Sequence, residues 1–173
     1  LAARAYVILK QAEFEKTLKN KGLAYKLFQK AGDDALAVLK KNKKHAFACS
    51  IYLDAHFGAE AYGALDHNSK AAIRNFPQFL FPWRQRLWAL VFLDRYDEAL
   101  DLSNIVLRRD DIDQGAIYFW RGLFIKWKLM DYGYIDSIGR QLASDAIREF
   151  QRAVDNGNPD GYSGIREVRN LGF

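Results

Sequence analysis

The sequence predicts an all-α chain assembled from helical hairpins, about four of them stacked in series. Three observations carry this reading. Proline is scarce, three in 173 residues, while Ala, Leu and Lys are frequent, a balance that favours helix. Short segments recur: Lys21-Gly22-Leu23-Ala24-Tyr25-Lys26-Leu27 resembles Arg121-Gly122-Leu123-Phe124-Ile125-Lys126-Trp127, with the two glycines 100 residues apart. Alanine also recurs at the head of apolar stretches, at Ala35, Ala72, Ala99 and Ala146, with gaps of 37, 27 and 47 residues. Small residues let two antiparallel helices approach closely, and large ones such as Trp83, Tyr118 and Phe150 fill the space between them. A lone hairpin cannot bury both apolar faces, so neighbours must stack into a superhelix with a concave and a convex side.

Taken as a single domain over 1–173, the chain divides into units at about 15–44, 45–78, 80–111 and 114–156, with a capping helix at about 162–171. In the first unit, Leu23, Leu27, Ala31, Ala35 and Val38 form an apolar stripe. A break is expected near Gly32-Asp33, because glycine disfavours helix interiors. The second unit opens with 46–62, apolar on nearly every side, as suits a helix sandwiched between neighbours. Asn68 or Ser69 is expected to cap the short helix that follows, and Pro77 to stop it. The third unit is the clearest. Residues 83–93 form its first helix, Arg95-Tyr96 its turn, and 97–108 its second helix, with Ala99, Leu102, Val106 and Leu107 at helical spacing. The acidic turn Asp110-Asp111-Ile112-Asp113 suits the helix N-terminus that starts the fourth unit, whose first helix is expected from Gln114 to about Leu129.

Leu93-Asp94-Arg95-Tyr96-Asp97-Glu98-Ala99-Leu100 has the form of the turn of a tetratricopeptide repeat. Ser144-Asp145-Ala146-Ile147-Arg148-Glu149-Phe150-Gln151-Arg152-Ala153-Val154 has the form of its second helix. The chain therefore resembles that family, closely over 83–159 and loosely over 15–80. The resemblance implies a right-handed solenoid of about four degenerate units, and the 100-residue glycine spacing is about three of the family's ~34-residue periods. Ala146 lies 24 positions after Gly122 where the family has about 12, so 130–143 is read as an insertion on one face of the solenoid.

The resemblance also implies a non-catalytic protein- or peptide-binding scaffold, or an adaptor subunit of a larger assembly. Its concave-face positions carry over to Arg84, Trp88 and Phe92 in the third unit and to Phe119, Lys126 and Trp127 in the fourth, while Trp83 takes the buried first-helix position. Trp88 stands where repeats that clamp chaperone C-terminal carboxylates use Asn, which sets that particular activity aside. Exposed aromatics beside Arg84 and Lys126 suit a peptide with apolar anchors and an acidic group.

The net charge of +5 is uneven. Residues 1–44 hold eleven Lys or Arg against four acids, a balance of +7, which leaves the remainder near −2. Lys40, Lys41, Lys43 and Lys44 form the densest basic patch, and they support a rival reading as a binder of anionic surfaces or nucleic acid. A solvated helix face accounts for the same charges, so nucleic acid is not the preferred partner; protein or peptide is, a second copy of the chain included. A third reading is a small-molecule- or metal-binding helical protein closed by the insert.

Catalytic patterns are absent: the sequence has no Gly-x-x-x-x-Gly-Lys, no Gly-x-Ser-x-Gly and no His-Glu-x-x-His. No cofactor is expected. His45, Cys49, His56, Glu60 and His67 lie near one another in sequence, but Cys49 and His56 would sit about 10 Å apart along one helix. They are read as ordinary polar residues, with no metal assigned. The segment Asn156-Gly157-Asn158-Pro159-Asp160-Gly161 followed by Glu167 loosely fits a calcium loop, yet it starts with an amide and carries proline at its fourth position. The longest apolar run, 87–93, is far short of the ~20 residues of a membrane span. The lone Cys49 forms no internal disulfide and leaves the compartment open, cytoplasmic or, after removal of a signal, exported. A start at Leu1 is read as the mark of a processed chain or a part of a longer one.

Overall fold

The computed structural model describes residues 1–172. Among them are nine α-helices and no strand: α1 (Ala2–Thr17), α2 (Lys21–Lys41), α3 (Ala46–Gly58), α4 (Tyr62–Asn75), α5 (Leu80–Phe92), α6 (Tyr96–Val106), α7 (Gln114–Tyr132), α8 (Ser137–Asp155) and α9 (Gly161–Asn170). The architecture is all-α and of the helical-hairpin solenoid class. It comprises two compact units, Leu1–Leu93 and Asp94–Phe173.

In the first unit, α1 packs on α2 and α3, and α3 on α4 and α5. The core of its first three helices is built mostly from alanines, Ala5, Ala12, Ala24, Ala31, Ala35 and Ala55, all at most 3% exposed. Phe28, Ile8, Leu9 and Ile51 fill the space those small side chains leave. The first hairpin thus starts at Ala2 instead of about 15, and α2 runs unbroken through Gly32. Gly32 is buried within the helix, and a Cβ placed there would make ordinary contact with Ala55 Cβ at 3.5 Å, so the glycine marks no helix end. Likewise α4 starts at Tyr62, ahead of the expected cap: Asn68 and Ser69 lie inside it, and the Ser69 hydroxyl donates to the Asp66 carbonyl.

The hairpin turns share one backbone device. Lys19, Glu60 and Asp94 sit in the left-handed region, with φ of 61°, 59° and 57°, and Gly133 does the same in the last turn with φ of 72°. In the first two turns the next residue closes the helix end. Asn20 N–H donates to the Glu15 carbonyl at 3.0 Å and Ala61 N–H to the His56 carbonyl at 2.9 Å, satisfying carbonyls that the helix leaves open. Such positions favour glycine, because a Cβ crowds the backbone there. Lys19→Gly is expected to stabilise the protein by about 0.5–1 kcal/mol, read as a higher urea midpoint with an unchanged slope.

The second unit is built on α7, α8 and α9, with α6 against α7. Its core joins Ile125 and Leu129 of α7, Ala143, Ala146 and Phe150 of α8, and Ile165 and Val168 of α9. The expected insertion is not a separate loop. It lengthens both arms of the hairpin, to 19 residues each in α7 and α8 against 13 in α5 and 11 in α6, and leaves a turn of only 133–136. Asp136 makes that turn firm, its carboxylate accepting from the N–H groups of Ile138 and Gly139, both at 2.9 Å. The expected capping helix is α9, beginning at Gly161.

Candidate binding surfaces

Within the first unit, the first helices of successive hairpins, α1, α3 and α5, lie side by side. Their shared face carries a row of aromatic and charged side chains. Tyr6 of α1 and Phe47 of α3 meet with ring centroids 5.5 Å apart, and the Lys10 ammonium lies 5.6 Å from the Tyr6 ring. Lys10 also pairs with Glu13 at 2.7 Å. Further along, Gln85 of α5 donates to the carboxylate of Asp54 of α3. Arg84, Trp88 and Phe92 follow one another at four-residue spacing along α5, which puts them on one stripe. Phe92 stacks on Tyr62 at 4.5 Å and meets Phe57 edge-on at 5.9 Å, while Trp88 lies 6.2 Å from Phe92. Arg84 is exposed and Trp88 half-buried.

Asp54 is the electrostatic centre of this face. Burial holds its carboxyl above the ordinary range, opposed by the charge of Arg84 nearby and by the Gln85 hydrogen bond. A folded-state pKa above the unfolded one means that the folded chain holds the extra proton between the two values, so stability falls as pH rises through that window. Asp54→Asn removes this effect. The variant is expected to be at least as stable as the parent at neutral pH and to lose the gain in melting temperature that the parent shows on acidification toward ~pH 4.

The expected residues of the fourth unit take other places. Phe119 is half-buried against the Phe150 ring at 5.6 Å and belongs to the core. Lys126 is 13% exposed along its side chain, and its ammonium meets Glu167 of α9 at 2.6 Å. Trp127 is half-buried. Lys40 and Lys41 close α2, where their charge suits the helix C-terminus, and Lys43 and Lys44 lie in the connection to α3; all four are exposed. Conversely, Tyr6 and Lys10 lie on α1, which no clear amphipathic pattern marks in the sequence, and Phe47 lies on α3, apolar on nearly every side, so neither helix singles out a face.

The candidate metal and calcium residues have structural work. His45 caps α3, its Nδ1 accepting from Ala48 N–H at 3.2 Å. His56 packs edge-on against Tyr52 and contacts Asn68, and its burial lowers its pKa. Cys49 is buried in the core, and desolvation pushes its thiol up to about 11. Glu167 is committed to Lys126, and the Asn158 side chain accepts from Asp160 N–H at 3.0 Å just before α9. Among the described residues no three His, Cys, Asp or Glu side chains are grouped to hold a metal ion, and no helix is long and apolar enough to cross a membrane.

Stacked hairpins with alanine and glycine at their crossings decide the comparison. The fold is tetratricopeptide-like. A solved structure titled "MamA RS-1 ArsTM double mutant", of a protein that contains such repeats, superposes with a TM-score of 0.53 over 96% of this chain and 93% of that one, at 12% sequence identity. No family model matches the chain, and no curated protein matches it by sequence. The tetratricopeptide-like character thus rests on backbone geometry, with helix lengths that depart from the regular repeat in the last hairpin.

Proposed function

We propose that this tetratricopeptide-like chain is a non-catalytic protein-binding scaffold, an adaptor or subunit of a larger assembly, and that the face of α1, α3 and α5 takes an extended or helical peptide. The observation that carries the reading is the set of side chains on that face, Tyr6 against Phe47, Asp54 against Gln85, and Arg84 and Trp88 along α5. Partly exposed aromatics supply apolar anchor sites at little entropic cost, and the charges between them select register and partner. Arg84 suits an acidic group on the peptide. Phe119 and Lys126, taken up in packing and in the Glu167 pair, are left out of the recognition set.

Selection of peptides from a displayed library on the immobilised chain, followed by titration of one winner, tests this. Trp88→Ala is expected to weaken binding by ~2 kcal/mol or more, and Arg84→Glu to weaken it further for acidic peptides. Charge reversal at Lys40, Lys41, Lys43 and Lys44 is expected to change little. Loss of binding in the lysine variant with none in Trp88→Ala would move the function to the basic end.

A further inference from the structure

The lengthened hairpin of the second unit carries a surface of its own. Between the C-terminal turns of α7, the start of α8 and the start of α6 lies a cavity of about 520 Å³. Its apolar wall is Ile138 and Leu142 of α8 with the rings of Tyr96 and Tyr132. The apolar surface continues outward: Tyr134 meets the Tyr132 ring at 5.4 Å, and Tyr134 and Ile138 are 69% and 54% exposed. An exposed apolar surface of this kind marks a place where another chain is expected to sit.

Charge specifies which kind of chain. Asp94 and Asp131 line the cavity and both accept from the Tyr96 hydroxyl, Asp131 at 2.5 Å and Asp94 at 3.3 Å. Asp97 and Asp136 stand beside it, one on Lys128 at 2.5 Å and one accepting from the Tyr132 hydroxyl at 2.7 Å. Four carboxylates, all on exposed residues, thus face two cations, Lys128 and Arg140. An apolar cleft between acidic rims is complementary to a helix with an apolar stripe bordered by Lys or Arg. We propose that the α7–α8 hairpin is a docking site for a basic amphipathic helix of a partner protein, its apolar stripe seated on Ile138 and Leu142 and its cations on Asp94 and Asp131.

A fluorescein-labelled helical peptide of leucine and lysine, about 14 residues or four turns long, is the probe, followed by fluorescence anisotropy on the intact chain at low and moderate salt. It is expected to bind, more weakly as salt rises, while the same peptide with glutamate for lysine does not bind. An all-lysine peptide is expected to bind at least about tenfold more weakly, since it lacks the apolar stripe. Ile138→Lys, at an exposed position, and the pair Asp94→Asn with Asp131→Asn are each expected to weaken binding on the order of tenfold, with helicity unchanged by circular dichroism. Trp88→Ala is expected to leave this binding alone, which separates the site from the α1–α3–α5 face. Binding unchanged in both hairpin variants, equal binding of the glutamate peptide, or loss in Trp88→Ala instead would each overturn the proposal. So would sedimentation showing that the hairpin surface is already occupied by a second copy of the chain.

Discussion

Phe150→Ala is expected to destabilise the second unit by about 3–5 kcal/mol, the cost of deleting a large aromatic side chain from a tightly filled site. Phe150 is fully buried, and glycines surround it: a Cβ at Gly122 of α7 would come within 2.6 Å of its ring, and one at Gly164 of α9 within 2.5 Å. The ring therefore occupies space that two neighbouring helices leave open on purpose of size alone, and it is the shared contact of α7, α8 and α9. Chemical denaturation followed by tryptophan fluorescence measures the loss, since Trp120 and Trp127 both lie on α7. Gly164→Ala provides the opposite check, overpacking the same spot at a cost of about 1–3 kcal/mol. A Phe150→Ala variant as stable as the parent would mean that α9 does not close this core.

Arg121→Met is the second large effect, expected to cost about 2–3 kcal/mol. Glu149 is 3% exposed, and Arg121 reaches it at 2.7 Å while also donating to Ser103 Oγ at 2.6 Å and Asn104 Oδ1 at 2.7 Å. Removing the guanidinium leaves a buried carboxylate short of its main partner, which costs several kcal/mol in comparable pairs. Arg152, at 2.9 Å from the other carboxylate oxygen, remains and softens the loss. Because the cost comes from the stranded charge, a second change, Glu149→Leu, is expected to restore much of the stability. Thermal denaturation of the single and double variants distinguishes this from a simple loss of packing.

The sequence was most readable where local chemistry and tertiary packing agree. The turn at 93–95 shows both: an apolar run ends, Asp94 accepts the left-handed conformation, and Asp97 and Glu98 follow at the start of α6. Where one residue type serves two purposes, pattern alone misleads. Gly32 reads as a helix breaker, yet α2 runs through it, its flanking Ala31 and Ala35 buried in the core with Ala55, a long-range packing that no local rule reports. Helix α1 escaped for a different reason. It buries Ala5, Ile8, Leu9 and Ala12 yet exposes Val7, Phe14 and Tyr6, so apolar residues lie on both sides and the amphipathic signal cancels. That omission also hid Tyr6 and Lys10 from the candidate face, whereas Arg84, Trp88 and Phe92 were legible because they follow the best-marked part of the repeat. The start of α4 lacked any capping side chain to announce it, since Ala61 precedes it.

The long α7–α8 hairpin gives the fold a region open to change. Each arm exceeds its counterpart in α5 or α6 by six to eight residues, about two helical turns, and the tip at 133–136 lies outside the Phe150 core. Residues 133–136 touch that core nowhere in its buried set. Substitutions or a transplanted loop at this tip that keep Gly133 and the Asp136 cap are expected to leave the Phe150 core undisturbed. Over evolutionary time such a tip can be rewritten for a new partner while the hairpins beneath it stay fixed, and in the laboratory it is the natural place to graft a foreign epitope.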